Sequence, residues 1–203
     1  MKSSLAEILP LLGTSMGGGF YAGRIRIEDQ VYALIVAPKS DGELASAPWI
    51  ARDKSVPGAL SYCDGLANTQ AMAAAGSKLA KWALDLRIGG ADDWYLPAQD
   101  ELEILYRNLK PGQAENYCWA RSGINLSSVE PTRPYTPALP VQTLAEAFQA
   151  GADEAFAESY YWTSTQHASV SVCAWYQGFG NGLQTNDLKH NKLRARAVRR
   201  LIL

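Results

Sequence analysis

Four segments follow one another through the second half of this chain. They are Asp92-Asp-Trp-Tyr-Leu-Pro-Ala-Gln-Asp-Glu-Leu102, Tyr161-Trp-Thr-Ser-Thr165, Ala174-Trp-Tyr-Gln-Gly-Phe179 and Arg196-Ala-Val-Arg199. The first runs into a helix: Pro97 suits a first-turn position, and Asp100 and Glu101 face the positive helix start. Leu102, Leu105, Tyr106 and Leu109 then form the buried stripe, and Pro111-Gly112 ends it. The remaining segments lie in strand patterns over Tyr160 to Thr165, Val170 to Phe179 and Leu193 to Leu201, with a turn at Gly180-Asn181-Gly182. A fold for this chain must therefore hold at least one helix against several late strands.

The rest of the chain supplies the complement. Phe20 to Ile27 and Gln30 to Ala37 read as a hairpin around Glu28-Asp29, and Pro38 to Pro57 reads as a loop. From Gln70 to Leu86 the residues Met72, Ala75, Leu79, Trp82, Ala83 and Leu86 form one helical stripe, which Gly76 can divide and Gly89-Gly90 stops. A capping box, Thr143-Leu-Ala-Glu146, predicts a third short helix closed by Gly151. The four prolines between Ser122 and Pro140 predict an irregular loop. Ser4 to Leu12 is expected to be a short helix, and Gly13 with Gly17-Gly-Gly19 a flexible hinge. The domain division is then an amino-terminal arm over 1–19 and one domain over 20–203. The glycines fit no phosphate-loop template, because no Lys-Ser/Thr follows them.

Charge narrows the function classes. A net charge of −1 over 203 residues gives no general attraction to nucleic acid or anionic membrane. The one dense basic run is Lys189, Lys192, Arg194, Arg196, Arg199 and Arg200. Its alternation with Leu193, Ala195 and Ala197 predicts a half-buried strand whose arginines pair with carboxylates on neighbouring strands. Cys63, Cys118 and Cys173 are odd in number and far apart, which argues against a disulfide framework. His167 and His190 sit near no cysteine pair, so no metal is expected. The apolar run Ile8 to Leu12 is far shorter than the ~18 residues of a membrane span. The expectation is a protein made and folded in the cytoplasm, with a signal peptide as the weaker alternative.

Catalytic readings do not hold together. Asp92-Asp93 falls in a turn and Asp100-Glu101 in a helix's first turn, where structural roles account for both pairs. Ser164, His167 and Asp187 make a triad on paper, but Ser164 lacks the glycine-flanked turn that exposes a nucleophile.

The four segments resemble, in order and approximate spacing, the C-type-lectin-like domains named after the C-terminal domain of a bacterial collagen-like adhesin. Their commoner wording is Asp-Trp-Arg-Leu-Pro, Tyr-Trp-Ser-Ser-Thr, Ala-Trp and Val-Arg. The resemblance runs from about Ser61 to Arg200, with Tyr95 standing where arginine is usual. It implies an α+β, C-type-lectin-like fold with two or three helices and antiparallel sheets, in which the first and last strands pair.

It also implies a non-enzymatic recognition module carried by a phage or prophage tail, with a secreted adhesin domain or a relative of the formylglycine-generating enzymes as alternatives. Glu130-Pro131-Thr132 lacks the calcium-lectin wording, so no obligatory calcium and no cofactor are expected, and Asn186-Asp187 keeps the calcium alternative open.

In similar proteins the C-terminal segment faces the ligand. Here that segment carries Tyr176, Gln177, Asn181, Gln184, Thr185, Asn186, Asp187, His190 and Asn191, adaptable hydrogen-bonding groups around an aromatic. The expected partners are a host surface glycan or protein and, through the arm, a tail fibre or other virion protein. Homo-oligomerisation is open, and location in the virion tail after synthesis in the host cytoplasm is expected. Trp94, Trp162 and Trp175 are expected in the core rather than as sugar platforms.

Overall fold

The computed structural model describes residues 9–50, 54–118, 125–129 and 135–203. Two sheets organise them. The first has the order β1-β2-β3-β9, from Ser15–Met16, Gly19–Ile27, Gln30–Val36 and Val198–Ile202. The expected hairpin is present with its turn at Glu28, and β3 pairs antiparallel with β9, from Tyr32 opposite Ile202 to Val36 opposite Val198. The N-terminal strands are thus joined to the last strand.

The glycine hinge takes a different form. Gly17 and Gly18, both at positive φ, make a tight turn that folds β1 back on β2. Side chains have no room there, because a Cβ on Gly18 would meet the Ile88 carbonyl at 3.0 Å. Residues 9–12 are not helical, and the rest of the expected Ser4 to Leu12 helix lies outside the described residues.

The second sheet has the order β4-β8-β5-β6-β7, from Glu43–Pro48, Lys192–Arg196, Tyr160–Gln166, Cys173–Gly178 and Gln184–Leu188. Its pairs are antiparallel except β5 with β8, which run parallel. Two expectations are corrected here. Pro38 to Pro57 is not simply loop: it holds the one-turn helix α1, Lys39–Gly42, and the edge strand β4. The basic run is two strands rather than one, because the chain crosses between sheets at Ala197, whose N–H and C=O bond to Gly42 and Ala37.

The helical stripe divides at Gly76, at φ 98°, into α2, Gly65–Ala74, and α3, Lys78–Asp85. The side chains of Asp64 and Ser77 cap them by accepting from the N–H groups of Ala67 and Ala80. The helix α4, Gln99–Leu109, begins two residues after Pro97, which precedes the Ala98 cap rather than sitting in the first turn. Its first turn is held by Glu101, fully buried, whose Oε2 accepts from Ala98 N at 2.7 Å and Gly65 N at 3.0 Å. The Thr143 capping box yields only a 3-10 turn at Glu146–Phe148, because the Thr143 hydroxyl donates to Asn108 O and Glu146 stays exposed.

Two cores flank the second sheet. One gathers Tyr106, Phe156, Tyr161 and Phe179 with α4, and Phe156 stacks on Phe179 at 3.9 Å. The other gathers Trp49, Met72, Leu79, Trp162 and Ala195 with α2 and α3. The arginines of β8 and β9 all pair with carboxylates, but only Arg194 finds one on a neighbouring strand, Glu43 of β4; Arg196 pairs with Glu154, Arg199 with Asp93 and Arg200 with Asp64, which lie in loops or at the start of α2.

Candidate functional site

The late strands place the expected ligand residues in distinct surroundings, because successive side chains on a strand alternate between faces. On β6 and β7, Gln177 pairs with Gln184, Tyr176 with Thr185, Trp175 with Asn186 and Ala174 with Asp187. Tyr176, Thr185 and Asp187 therefore share one face, while Gln177, Gln184 and Asn186 share the other. Asn181 occupies the turn before β7, and His190 and Asn191 follow its far end, some ~17 Å away by strand rise.

Two of the nine residues are drawn inward. Gln177 and Gln184 are fully buried and form an amide chain. Gln99 Nε2 donates to Gln184 Oε1 at 2.8 Å, Gln184 Nε2 to Gln177 Oε1 at 3.1 Å, and Gln177 Nε2 to Gly182 O at 2.8 Å. This chain ties the start of α4 to the β6–β7 hairpin, so both glutamines hold the hairpin rather than face outward. Gly182, at φ 77°, closes the turn, and a Cβ there would collide with the Tyr135 hydroxyl and the Tyr106 ring. Tyr135 Oη donates to Gly182 O at 2.9 Å.

The other seven stay at or near the surface. Asn181 is exposed, and Tyr176, Thr185, Asn186, Asp187, His190 and Asn191 are half-buried. Asp187 Oδ1 accepts from Leu188 N at 2.7 Å and from Asn191 Nδ2 at 2.9 Å. Tyr176 meets Trp162 edge-on at 6.4 Å on one side and Tyr160 at 4.9 Å on the other. Burial and the nearby Tyr160 and Asp187 raise the Tyr176 phenol above its ordinary range, so it stays a neutral donor.

Tyr160 is the residue the sequence reading passed over. At 45% exposure it packs over Gly178, its Cδ1 and Cε1 each 3.3 Å from where a Cβ would stand. The available signal was a tyrosine beginning a strand one alternation before the buried Trp162, opposite a glycine.

Lys189, also in the basic run, is buried rather than ligand-facing. Its Nζ donates to Gln166 Oε1 at 2.5 Å and Lys54 O at 3.1 Å, and it lies 4.3 Å from the Trp49 ring centre. Burial lowers its amine to about 8.

The paper triad does not assemble. Ser164 is fully buried, His167 Nδ1 accepts from the N–H groups of Ser169 and Val170, and Asp187 serves Leu188 and Asn191. Trp94 and Trp162 are in the core, but Trp175 is only half-buried and stacks on His167 at 5.2 Å. Among the described residues no cluster of three His, Cys, Asp or Glu is arranged to hold a metal, and no helix is long and apolar enough to cross a membrane. Glu130-Pro131-Thr132 lies outside them.

No curated protein matches the chain. A family model does, and its matched span takes in the edge strand β4, the three larger helices and the whole second sheet. With residues 39–199 matched, the chain belongs to the Lcl C-terminal domain family.

Proposed function

We propose that this chain is a recognition module that binds a host surface glycan or protein through the outward residues of β6, β7 and the turn after them. Its family is an adhesin-related, generally non-catalytic one. The observation that carries the reading is the division of labour on the hairpin. Gln177, Gln184 and Gly182 fix its backbone from inside, leaving Thr185, Asn186 and His190 with no side-chain hydrogen bond among the described residues. A rigid strand pair carrying uncommitted polar groups beside an aromatic is what an adaptable binding surface needs.

The carrier in this reading is a phage or prophage tail, to which the amino-terminal segment attaches the domain. A bacterial adhesin is the second reading, favoured by the family itself. Replacing Tyr176, Asn181, Asn186 and His190 together by Ala should abolish binding to host cells while the domain stays folded. Normal binding by that variant would move the receptor site elsewhere, the proline-rich Ser122 to Pro140 segment being next. Detection in purified virions at the tail supports the phage carrier; secretion without virion association replaces it with the adhesin.

A further inference from the structure

On the outer part of the second sheet, Tyr160 and Tyr176 form an aromatic corner with ring centres 4.9 Å apart and planes tilted by 56°. Tyr160 rests on Gly178, whose lack of a side chain leaves room for the ring at that distance. Tyr176 is wedged against the buried Trp162. Neither phenol has a hydrogen-bond partner among the described residues, so both hydroxyls are free to donate or accept.

On the same face, Thr185 stands directly opposite Tyr176, and Asp187 follows one alternation along. Asp187 spends Oδ1 on Leu188 and Asn191, while Oδ2 makes no hydrogen bond among the described residues. Asp187 is the charged group that acts on the Tyr176 phenol, while Lys189, one alternation further along, turns its amine inward to Gln166 and Lys54 O. The basic side chains of β8 are directed elsewhere: Arg194 and Arg196 pair with Glu43 and Glu154, and Lys192 shares their alternation, on the opposite face from Leu193 and Ala195.

We infer that the Tyr160–Tyr176 corner is a subsite for a neutral pyranose, whose apolar C–H face packs on the two rings while its hydroxyls donate to Asp187 Oδ2 and meet Thr185. The inference rests on the recognition reading above and names its ligand class. Rigid aromatic faces bury a sugar's C–H surface at little entropic cost, and a free carboxylate oxygen is an acceptor that rewards hydroxyl donors. The same carboxylate repels sulfate and uronate groups, so sulfated and acidic glycans are excluded from this corner.

The test is ligand-observed saturation-transfer NMR on the full chain. Methyl β-galactopyranoside, with a continuous C–H patch on one face, serves as the neutral probe, and a sulfated galactoside as the acidic one. Wild-type protein should transfer saturation to the neutral sugar's ring protons and not to the sulfated sugar. Tyr160→Ala should weaken binding by about tenfold or more. Tyr160→Phe, which keeps the ring, and Tyr117→Ala, an exposed tyrosine by the turn at Asn181, should change it less than about threefold. Near-ultraviolet circular dichroism of Tyr160→Ala should match wild type.

Equal or tighter binding of the sulfated sugar, unchanged affinity in Tyr160→Ala, or no transfer to the neutral sugar at millimolar concentration each overturns the inference. If host-cell binding persists while neutral sugar fails to bind, only the ligand class falls. If the quadruple alanine variant binds cells normally, the recognition reading falls with it.

Discussion

The Tyr95 hydroxyl donates to Glu101 Oε1 at 2.7 Å, at the position where the resemblance leads one to expect arginine. A neutral donor thus stands beside a fully buried carboxyl. The positive charge that acts on this carboxyl is Arg200, which lies over the Tyr95 ring at 5.7 Å and pairs with Asp64. Burial is the largest influence on Glu101, and it raises the carboxyl from 4.5 to about 7 against the lowering by Ala98 N–H and the Tyr95 hydroxyl.

That shift gives a pH prediction. A carboxyl raised in the fold binds its proton more tightly folded than unfolded, so its contribution is full below about 4.5 and is lost as pH rises through about 7. Denaturant titrations from pH 4.5 to 8 should show stability falling with pH by up to about 3 kcal/mol from this group. Glu101→Gln should flatten the profile in that window.

Lys189 predicts the opposite slope at higher pH. Its amine is lowered from 10.5 to about 8, so between those values the unfolded chain holds more protons and stability rises with pH. Lys189→Met should remove the rise, measured by the same titrations from pH 7.5 to 10.5.

Within the hairpin, inward and outward residues should separate. Gln177→Ala and Gln184→Ala each leave buried amide or carbonyl groups unpaired and should cost about 1–3 kcal/mol. Asn186→Ala, on an uncommitted side chain, should stay within about 0.5 kcal/mol. Equal losses would mean that the amide chain does not hold the hairpin.

Trp94→Ala should be among the most damaging single changes. The indole is fully buried and covered by Arg199, with the guanidinium 5.8 Å from its ring centre. A cavity of that size costs ~3–5 kcal/mol, measurable as a large drop in melting temperature.

The amino-terminal segment can be tested by truncation. Leu9 and Met16 pack against the group containing Trp94 and Ile35, and Gly13 N donates to Tyr21 O at 2.8 Å. Deleting residues 1–16 should therefore lower the melting temperature, whereas an arm independent of the domain would leave it unchanged.

What could be read in the sequence depended on whether a signal was local. The helix beginning after Pro97, the break at Gly76 and the first hairpin follow from turn chemistry and periodicity, and all are present. The strand β4 was hidden because Glu43–Pro48 has little β-propensity; its pairing to β8 comes from a partner far along the chain. Likewise β7, Gln184–Leu188, is polar and carries no strand pattern of its own, although it follows the hairpin turn, until Gln184 finds Gln99. For the candidate site, composition and the resemblance pointed to the segment, but which of its residues face outward depended on a register that no periodicity marked. Tyr160 went unnoticed because only its seat on Gly178 distinguishes it from any strand tyrosine.

The pairing of β3 with β9 also bears on how the molecule is made. Tyr32 meets Ile202 across nearly the entire chain, so the first hairpin emerges during translation with one edge empty and waits for the last strand. Contacts so distant in sequence form slowly, since the intervening chain must be closed before they give any return. Throughout that delay β3 is an open, apolar strand edge of the kind that templates aggregation. A ribosome that stops before residue 198 leaves that edge exposed for good, so shortened products should accumulate as insoluble material rather than as partly active protein.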